Sequence, residues 1–362
     1  MFFCLVIFSF GFSLNFYAQD KDDDVLRIDT QLVDVPFVVT DKTGKPLLNL
    51  KQSNFIVYED GKKQEITDFA AAAAPFEVAL LLDTSGSTRS DLALIQRAAE
   101  NFIASLRPGD RVSIIAFESK IDGSKSIAAS QILSNLTADR NKLKDVLARV
   151  KTSNGTPYYD ALLKIIEKVF DEKPKDEFRG RRALVALTDG VDSTSLSDFE
   201  EAREKVTQAG IVSYFIQVDT REFFEENLLG DCSQAMRFSM AQIRRYYRTF
   251  YPKSNIEKVS GFCQLGDFER LDISKKLYEL ADEEMQYLAK NSGGKVFPVE
   301  DLSEARTAFK SVADEIGTKY SLGYYPSNDK RDGSYRKIKI ELKGVPAGAQ
   351  IRAREGYTAP AN

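Results

Sequence analysis

The rhythm of apolar and polar residues changes three times along the chain. Between Val25 and about residue 69 the runs are short. LVDVPFVVTD alternates into the turn Asp41-Lys42-Thr43-Gly44-Lys45-Pro46, FIVYED meets a turn at Gly61-Lys62, and QEITDF follows. Short runs punctuated by Gly, Pro and Asp predict a small antiparallel unit. Residues 70–75, a run of alanine closed by Pro75, form a joint.

From Phe76 to about Gly317 strand-like and helical stretches alternate. FEVALLLD (76–83) is a continuous apolar run that closes on an Asp, the pattern of a parallel strand covered on both faces. LALIQRAAENFIASL (92–106) carries apolar residues at helical spacing and stops at Arg107-Pro108-Gly109-Asp110. RVSIIAFE (111–118), RRALVALTD (181–189) and IVSYFIQVD (211–219) read as further strands. NKLKDVLARV and PYYDALLKIIEKVF read as amphipathic helices. SDFEEAREKVTQAG predicts a helix capped by Ser197 and closed by Gly210. A helix over about 273–291, a strand over 295–299 and a helix over 302–316 complete the series. Repeated βαβ units imply a parallel sheet with helices on both faces.

Arg221 to about Asp272 interrupts this rhythm. It holds Cys232, Cys263 and the run Arg244-Arg245-Tyr246-Tyr247-Arg248, and reads as a partly helical insertion. In an acidic chain the basic-aromatic run reads as a solvated helix face or a partner surface, not a nucleic-acid site. From Lys319 onward YSLGYYP, YRKIKIELK and AQIRAREGY are strand-like again. Neither end alone buries much core, so the two are expected to pair. The α/β domain (76–317) would then sit inside a β-sandwich made by residues 25–69 and 319–358.

Composition narrows the chemistry. The 362 residues carry 50 basic and 54 acidic side chains, a net charge of −4, and no histidine. The charge gives no general footprint for nucleic acid. The missing histidine removes Ser-His-Asp and Cys-His catalysis and His-ligated zinc. Three cysteines cannot build a four-cysteine site, so a metal must use oxygen ligands, which favours Mg²⁺, Mn²⁺ or Ca²⁺. Residues 1–17 (MFFCLVIFSFGFSLNFY) hold no charged side chain and are followed by Ala18, Gln19 and the acidic DKDDD. This reads as a secretory signal over 1–18, which makes the mature protein periplasmic or secreted. An uncleaved membrane anchor is the alternative, since ~20 apolar residues can span a bilayer. Cys232 and Cys263 in an exported chain point to one disulfide, with two buried thiols as the alternative.

Three strand-to-helix loops gather candidate ligands. Strand 76–83 ends in Asp83-Thr84-Ser85-Gly86-Ser87, a D-x-S-x-S motif at the edge where open α/β sheets bind ligands. Gly155-Thr156-Pro157 precedes a helix, and Thr188-Asp189-Gly190 ends strand 181–189. Few carboxylates and several hydroxyls suit octahedral Mg²⁺ with bound waters better than Ca²⁺, which takes six to eight oxygens. Asp160 reads as a helix-surface carboxylate, Asp192 as a supporting or plain loop residue, and Asp219 as a turn cap.

Asp83-x-Ser85-x-Ser87, then Thr156, then Asp189 in TDG resemble the metal-ion-dependent adhesion site of von Willebrand factor type A domains. The flanking segments, including VPFVVTDKTGKPLLNLKQSNFIVYEDGKKQEITDF and IRAREGY, are similar to bacterial proteins related to that family. The resemblance implies a Rossmann-like, doubly wound domain over 76–317. It implies Ser85, Ser87 and Thr156 as direct or near-direct ligands, and Asp83 and Asp189 acting partly through water. A coordination position left open would accept an Asp or Glu of a protein partner. The insertion at 221–272 has no counterpart in the resemblance. The expected function is an exported, metal-dependent binding or adhesion module with no enzymatic activity. An envelope scaffold in which the metal only stabilises the fold is the second reading. A hydrolase using Ser85 or Ser87 is the least supported, because no Ser-x-x-Lys follows and a phosphatase-type second acid is replaced by Ser85.

Overall fold

The computed structural model describes residues 32–86, 91–123, 125–226, 228–229, 237–253 and 261–361. The expected signal over 1–18, Ser87 and Cys232 lie outside them. Among the described residues no helix is long and apolar enough to cross a membrane.

A six-stranded sheet forms the centre. Its strands are β5 (Glu77–Leu82), β6 (Arg111–Asp122), β7 (Lys125–Thr137), β8 (Arg182–Thr188), β9 (Val212–Val218) and β10 (Lys295–Val299). Their order is β10-β9-β8-β5-β6-β7, all parallel except β7, which runs antiparallel to β6 at the edge. Every residue of β5 is buried, as its unbroken apolar run predicts. Val78, Leu80 and Leu82 face α1 (Leu92–Ser105), α2 (Arg140–Leu147) and α8 (Ala305–Ile316). Ala79 and Leu81 face α3 (Tyr158–Lys164), α4 (Phe199–Ala209) and α7 (Asp267–Ser292). The alternation follows from the two-residue period of a strand.

Local signals largely set the helix ends. Gly210 closes α4 and Gly293 closes α7, both in the left-handed conformation that favours glycine. The expected cap of α4, Ser197, is corrected by one residue. Asp198 takes the extended cap conformation and accepts from the Glu201 amide at 3.1 Å.

The chain ends build two four-stranded antiparallel sheets. One contains β1 (Val33–Thr40), β4 (Asp68–Ala70), β11 (Tyr320–Tyr324) and β13 (Gln350–Ala353). The other contains β2 (Phe55–Glu59), β3 (Lys62–Gln64), β12 (Tyr335–Leu342) and β14 (Gly356–Thr358). Each mixes strands from before and after the α/β domain, and the two share one core that includes Phe37, Phe55, Tyr320, Tyr324 and Ile340. The protein is thus an α/β fold with flanking antiparallel sandwich segments from both ends of the chain.

The sandwich meets the central sheet at the edge where β5, β8 and β10 begin. Arg181, just before β8, is fully buried there. Its guanidinium donates to the carbonyls of Pro75 (3.0 Å), Lys319 (2.8 Å), Ala74 (2.6 Å) and Ala72 (3.3 Å), and lies over the Phe76 ring.

Candidate functional site

Strand order places the site. From β5 the chain moves outward through β6 and β7, and from β8 outward the other way through β9 and β10. The winding therefore reverses between β5 and β8. A doubly wound sheet opens a crevice at the carboxyl ends of such a strand pair. Those ends carry Asp83 and Asp189.

Three loops close on this point and are hydrogen-bonded to one another. The Thr188 hydroxyl donates to Asp83 Oδ2 at 2.7 Å, tying the end of β8 to that of β5. The Ser153 amide donates to the Thr84 carbonyl at 2.7 Å. The Thr156 amide donates to Ser193 Oγ at 2.8 Å, and the Ser193 amide returns to the Thr156 carbonyl at 3.0 Å. Asp83, Ser85, Thr156 and Asp189 are all buried. The four described members of the expected five-residue set thus come from loops that contact each other. The fifth, Ser87, lies outside the described residues.

Both carboxylates are held and desolvated. Asp83 Oδ1 accepts from the Ser85 amide at 3.0 Å. Burial pushes its pKa above the ordinary aspartate range, while hydrogen bonds from the Ser85 and Thr188 side chains pull it back. Asp189 accepts from the Val191 amide on Oδ1 at 2.9 Å and from the Thr220 hydroxyl on Oδ2 at 2.7 Å. Burial first, and then the charge of Asp83, push Asp189 up to about 7. Gly190, at φ +74°, makes the sharp turn immediately after it.

A hard divalent cation fits this donor set. Two buried carboxylates that repel each other are the arrangement a cation relieves, and serine and threonine hydroxyls supply neutral oxygens. Among the described residues no group of three or more Asp, Glu, His or Cys side chains comes together, so such a cation would draw on hydroxyls and water.

The other acidic residues support the loops. Asp192 Oδ2 accepts from the amides of Tyr158 (2.8 Å) and Tyr159 (3.3 Å), capping α3 from the neighbouring loop, and also bonds the Ser195 hydroxyl. Burial pushes it up to about 6. Asp160, expected on a solvated helix surface, instead accepts from the amides of Leu196 and Ser197, both at 3.1 Å. Asp219 caps a turn, accepting from the Arg221 amide at 3.0 Å.

The insertion packs beside these loops. It contains α5 (Arg221–Glu226), α6 (Met240–Phe250) and the start of α7. Its core joins Leu228, Phe238, Ile243, Tyr246 and Phe262 to Val191, two residues past Asp189. The basic-aromatic run is only half solvated. Arg244 and Arg248 are exposed, but Tyr246 is buried, and Arg245 lies over the Tyr159 ring and pairs with Glu284. Cys263 is disulfide-bonded. Cys232, its expected partner, lies outside the described residues.

Thr220 and Tyr278 were absent from the sequence-derived set. Thr220 had a signal: it follows β9 at the same sheet edge. Tyr278 had none, being one aromatic residue in a long helix.

A doubly wound α/β domain with hydroxyl and carboxylate donors on three joined loops at its switch point defines the class. The sequence model of the von Willebrand factor type A domain matches residues 78–191 of this chain. No curated protein matches the chain. Similar solved structures include proximal thread matrix protein 1 from the mussel byssus, at 12% identity over 80% of this chain and 51% of that one (TM-score 0.43). Another is a von Willebrand factor type A protein from Catenulispora acidiphila, at 12% identity over 92% of this chain and 75% of that one (TM-score 0.41). A further structure of the mussel protein, described with a zinc-occupied MIDAS motif, is 14% identical over 74% of this chain and 50% of that one (TM-score 0.43). The chain thus spans about half the length of the mussel protein.

Proposed function

We propose that this protein is an exported, non-enzymatic protein-binding module that captures an acidic partner through a divalent cation held by Asp83, Ser85, Ser87, Thr156 and Asp189. One observation carries the reading. Two buried, mutually repelling carboxylates and the hydroxyl-bearing loops around them are joined at the switch point between β5 and β8. With most donors neutral, a bound cation keeps enough positive charge to attract an external Asp or Glu. Mg²⁺ or Mn²⁺ suits this set better than Ca²⁺. Export rests on the apolar, uncharged opening of the chain, which would leave the mature protein in the periplasm or outside the cell.

The test is calorimetric titration of Mg²⁺, Mn²⁺ and Ca²⁺ into EDTA-stripped protein, beside Asp83→Ala and Ser85→Ala. Saturable binding by the wild type, lost in variants that keep their circular dichroism, is expected. A wild type that binds none of the three ions sinks the proposal.

A further inference from the structure

Asp189 is gripped from outside the motif. The Thr220 hydroxyl, 2.7 Å from Asp189 Oδ2, also lies 2.6 Å from the Tyr278 phenol oxygen. All three side chains are buried. A threonine hydroxyl carries one proton. While it donates to the carboxylate, the phenol must donate to it. The three groups therefore form a directed chain, from Tyr278 O–H to Thr220 O–H to the Asp189 carboxylate. Each bond in such a chain polarises the next, and together they fix the orientation of the carboxylate.

The far end of this chain belongs to the insertion's core. Tyr278 lies on α7 and packs in the cluster that holds Leu228, Phe238, Ile243, Tyr246 and Phe262. A second link runs in parallel: the Ser239 hydroxyl, which caps α6, donates to the Ser193 carbonyl at 2.7 Å, on the loop after β8 that is hydrogen-bonded to Thr156.

We infer that Thr220 and Tyr278 are positioning residues for Asp189, and that through them the 221–272 insertion sets the cation affinity of the site. The inference rests on the cation site proposed above. It assigns the insertion a role: its packing is read out at Asp189, and by reciprocity the cation orders the insertion.

The experiment uses the full chain and Mn²⁺ as probe. Mn²⁺ is titrated into wild type, Tyr278→Phe, Thr220→Val and Thr220→Ser, with the metal-free melting temperature of each measured alongside. Loss of an outer-shell hydrogen bond to a ligand weakens metal affinity by about tenfold or more, so Tyr278→Phe and Thr220→Val should bind about tenfold more weakly. Thr220→Ser, which keeps the hydroxyl, should match wild type. Hydrogen exchange adds an independent readout. Mn²⁺ should slow exchange in α6 and the first half of α7 of wild type, and not in Tyr278→Phe. If Tyr278→Phe melts lower without Mn²⁺ but keeps the wild-type affinity and exchange protection, its role is structural and the inference is overturned. If wild type binds no Mn²⁺, the cation site itself is refuted and the inference falls with it.

Discussion

Replacing Arg181 with Met should destabilise the protein by about 3 kcal/mol, the balance of lost charge-assisted hydrogen bonds against the relieved burial of a charge. Met keeps much of the aliphatic volume and removes the guanidinium. Of the four carbonyls that Arg181 serves, Ala72 keeps a donor, because Arg107 Nη1 also reaches it at 2.6 Å. Those of Ala74, Pro75 and Lys319 lose theirs. Each hydrogen bond to a charged group contributes about 1.5–3 kcal/mol, so three contribute roughly 5–9 kcal/mol. The stacking over Phe76, at 4.2 Å from its centroid, adds to the loss. Against this stands the cost of burying a guanidinium, several kcal/mol. That cost is visible in burial pulling Arg181 down to about 9. The balance leaves a net loss of about 3 kcal/mol. Equilibrium urea unfolding reads it directly: with a slope of about 3 kcal/mol per M, the midpoint falls by about 1 M. A Met variant as stable as wild type would refute the reasoning, since desolvation would then outweigh the hydrogen bonds.

Three further outcomes are expected. Gly190→Ala forces a Cβ into a left-handed turn 2.8 Å from Met285 Cε, and should lose about 1–2 kcal/mol in urea unfolding while also weakening Mn²⁺ binding. Burial, against the pull of Arg354 and Arg179, raises Asp34 to about 6 in the folded protein from 3.8. The folded state therefore holds this proton more tightly, and the contribution to stability is full below about 4 and lost as pH rises through 6. Asp34→Asn, a neutral mimic of the protonated acid, should be more stable than wild type at pH 7 by at most about 3 kcal/mol, with the difference closing by about pH 4. Persistence of that gain at low pH would contradict it. Mg²⁺ at a hundredfold above its dissociation constant should stabilise wild type by about 2.7 kcal/mol and leave Asp83→Ala unchanged, read by differential scanning calorimetry with and without EDTA.

Much of this architecture is legible in the sequence because hydrophobic period and burial coincide. The strand ending at Asp83, the one ending at Asp189, and the helix ending at Gly210 each show their apolar run and their stop signal within a dozen residues. Elements with weaker signals are harder to read. β7 reads KSIAASQILSNLT, polar enough to pass for a loop, because an edge strand needs only partial cover. QEITDF and AQIRAREGY each look like one strand, yet each region feeds both sandwich sheets, through β3 and β4 in one case and β13 and β14 in the other. Such crossings depend on long-range pairing that local pattern does not encode. At the site, D-x-S-x-S, Thr156 and Asp189 announce themselves by spacing. Tyr278 comes to Thr220 from 58 residues away and has no local signature.

The two edges of the central sheet carry different burdens. The edge where β5, β8 and β10 begin is joined to the sandwich through Arg181 and through the close approach of Gly293 to the backbone at Pro36 and Arg354. The opposite edge carries Asp83, Asp189, Thr220 and the insertion. Its loops are tied mainly to one another, so a shift of one loop reaches the others without passing through the sandwich. Asp83 and Asp189 are costly to bury, and a fold selected for stability alone gains nothing from placing them together. Their juxtaposition is what the proposed cation site would use. Substitutions at the two edges should separate accordingly. Arg181→Met lowers stability while leaving cation affinity intact, and Tyr278→Phe lowers cation affinity with the smaller effect on metal-free stability.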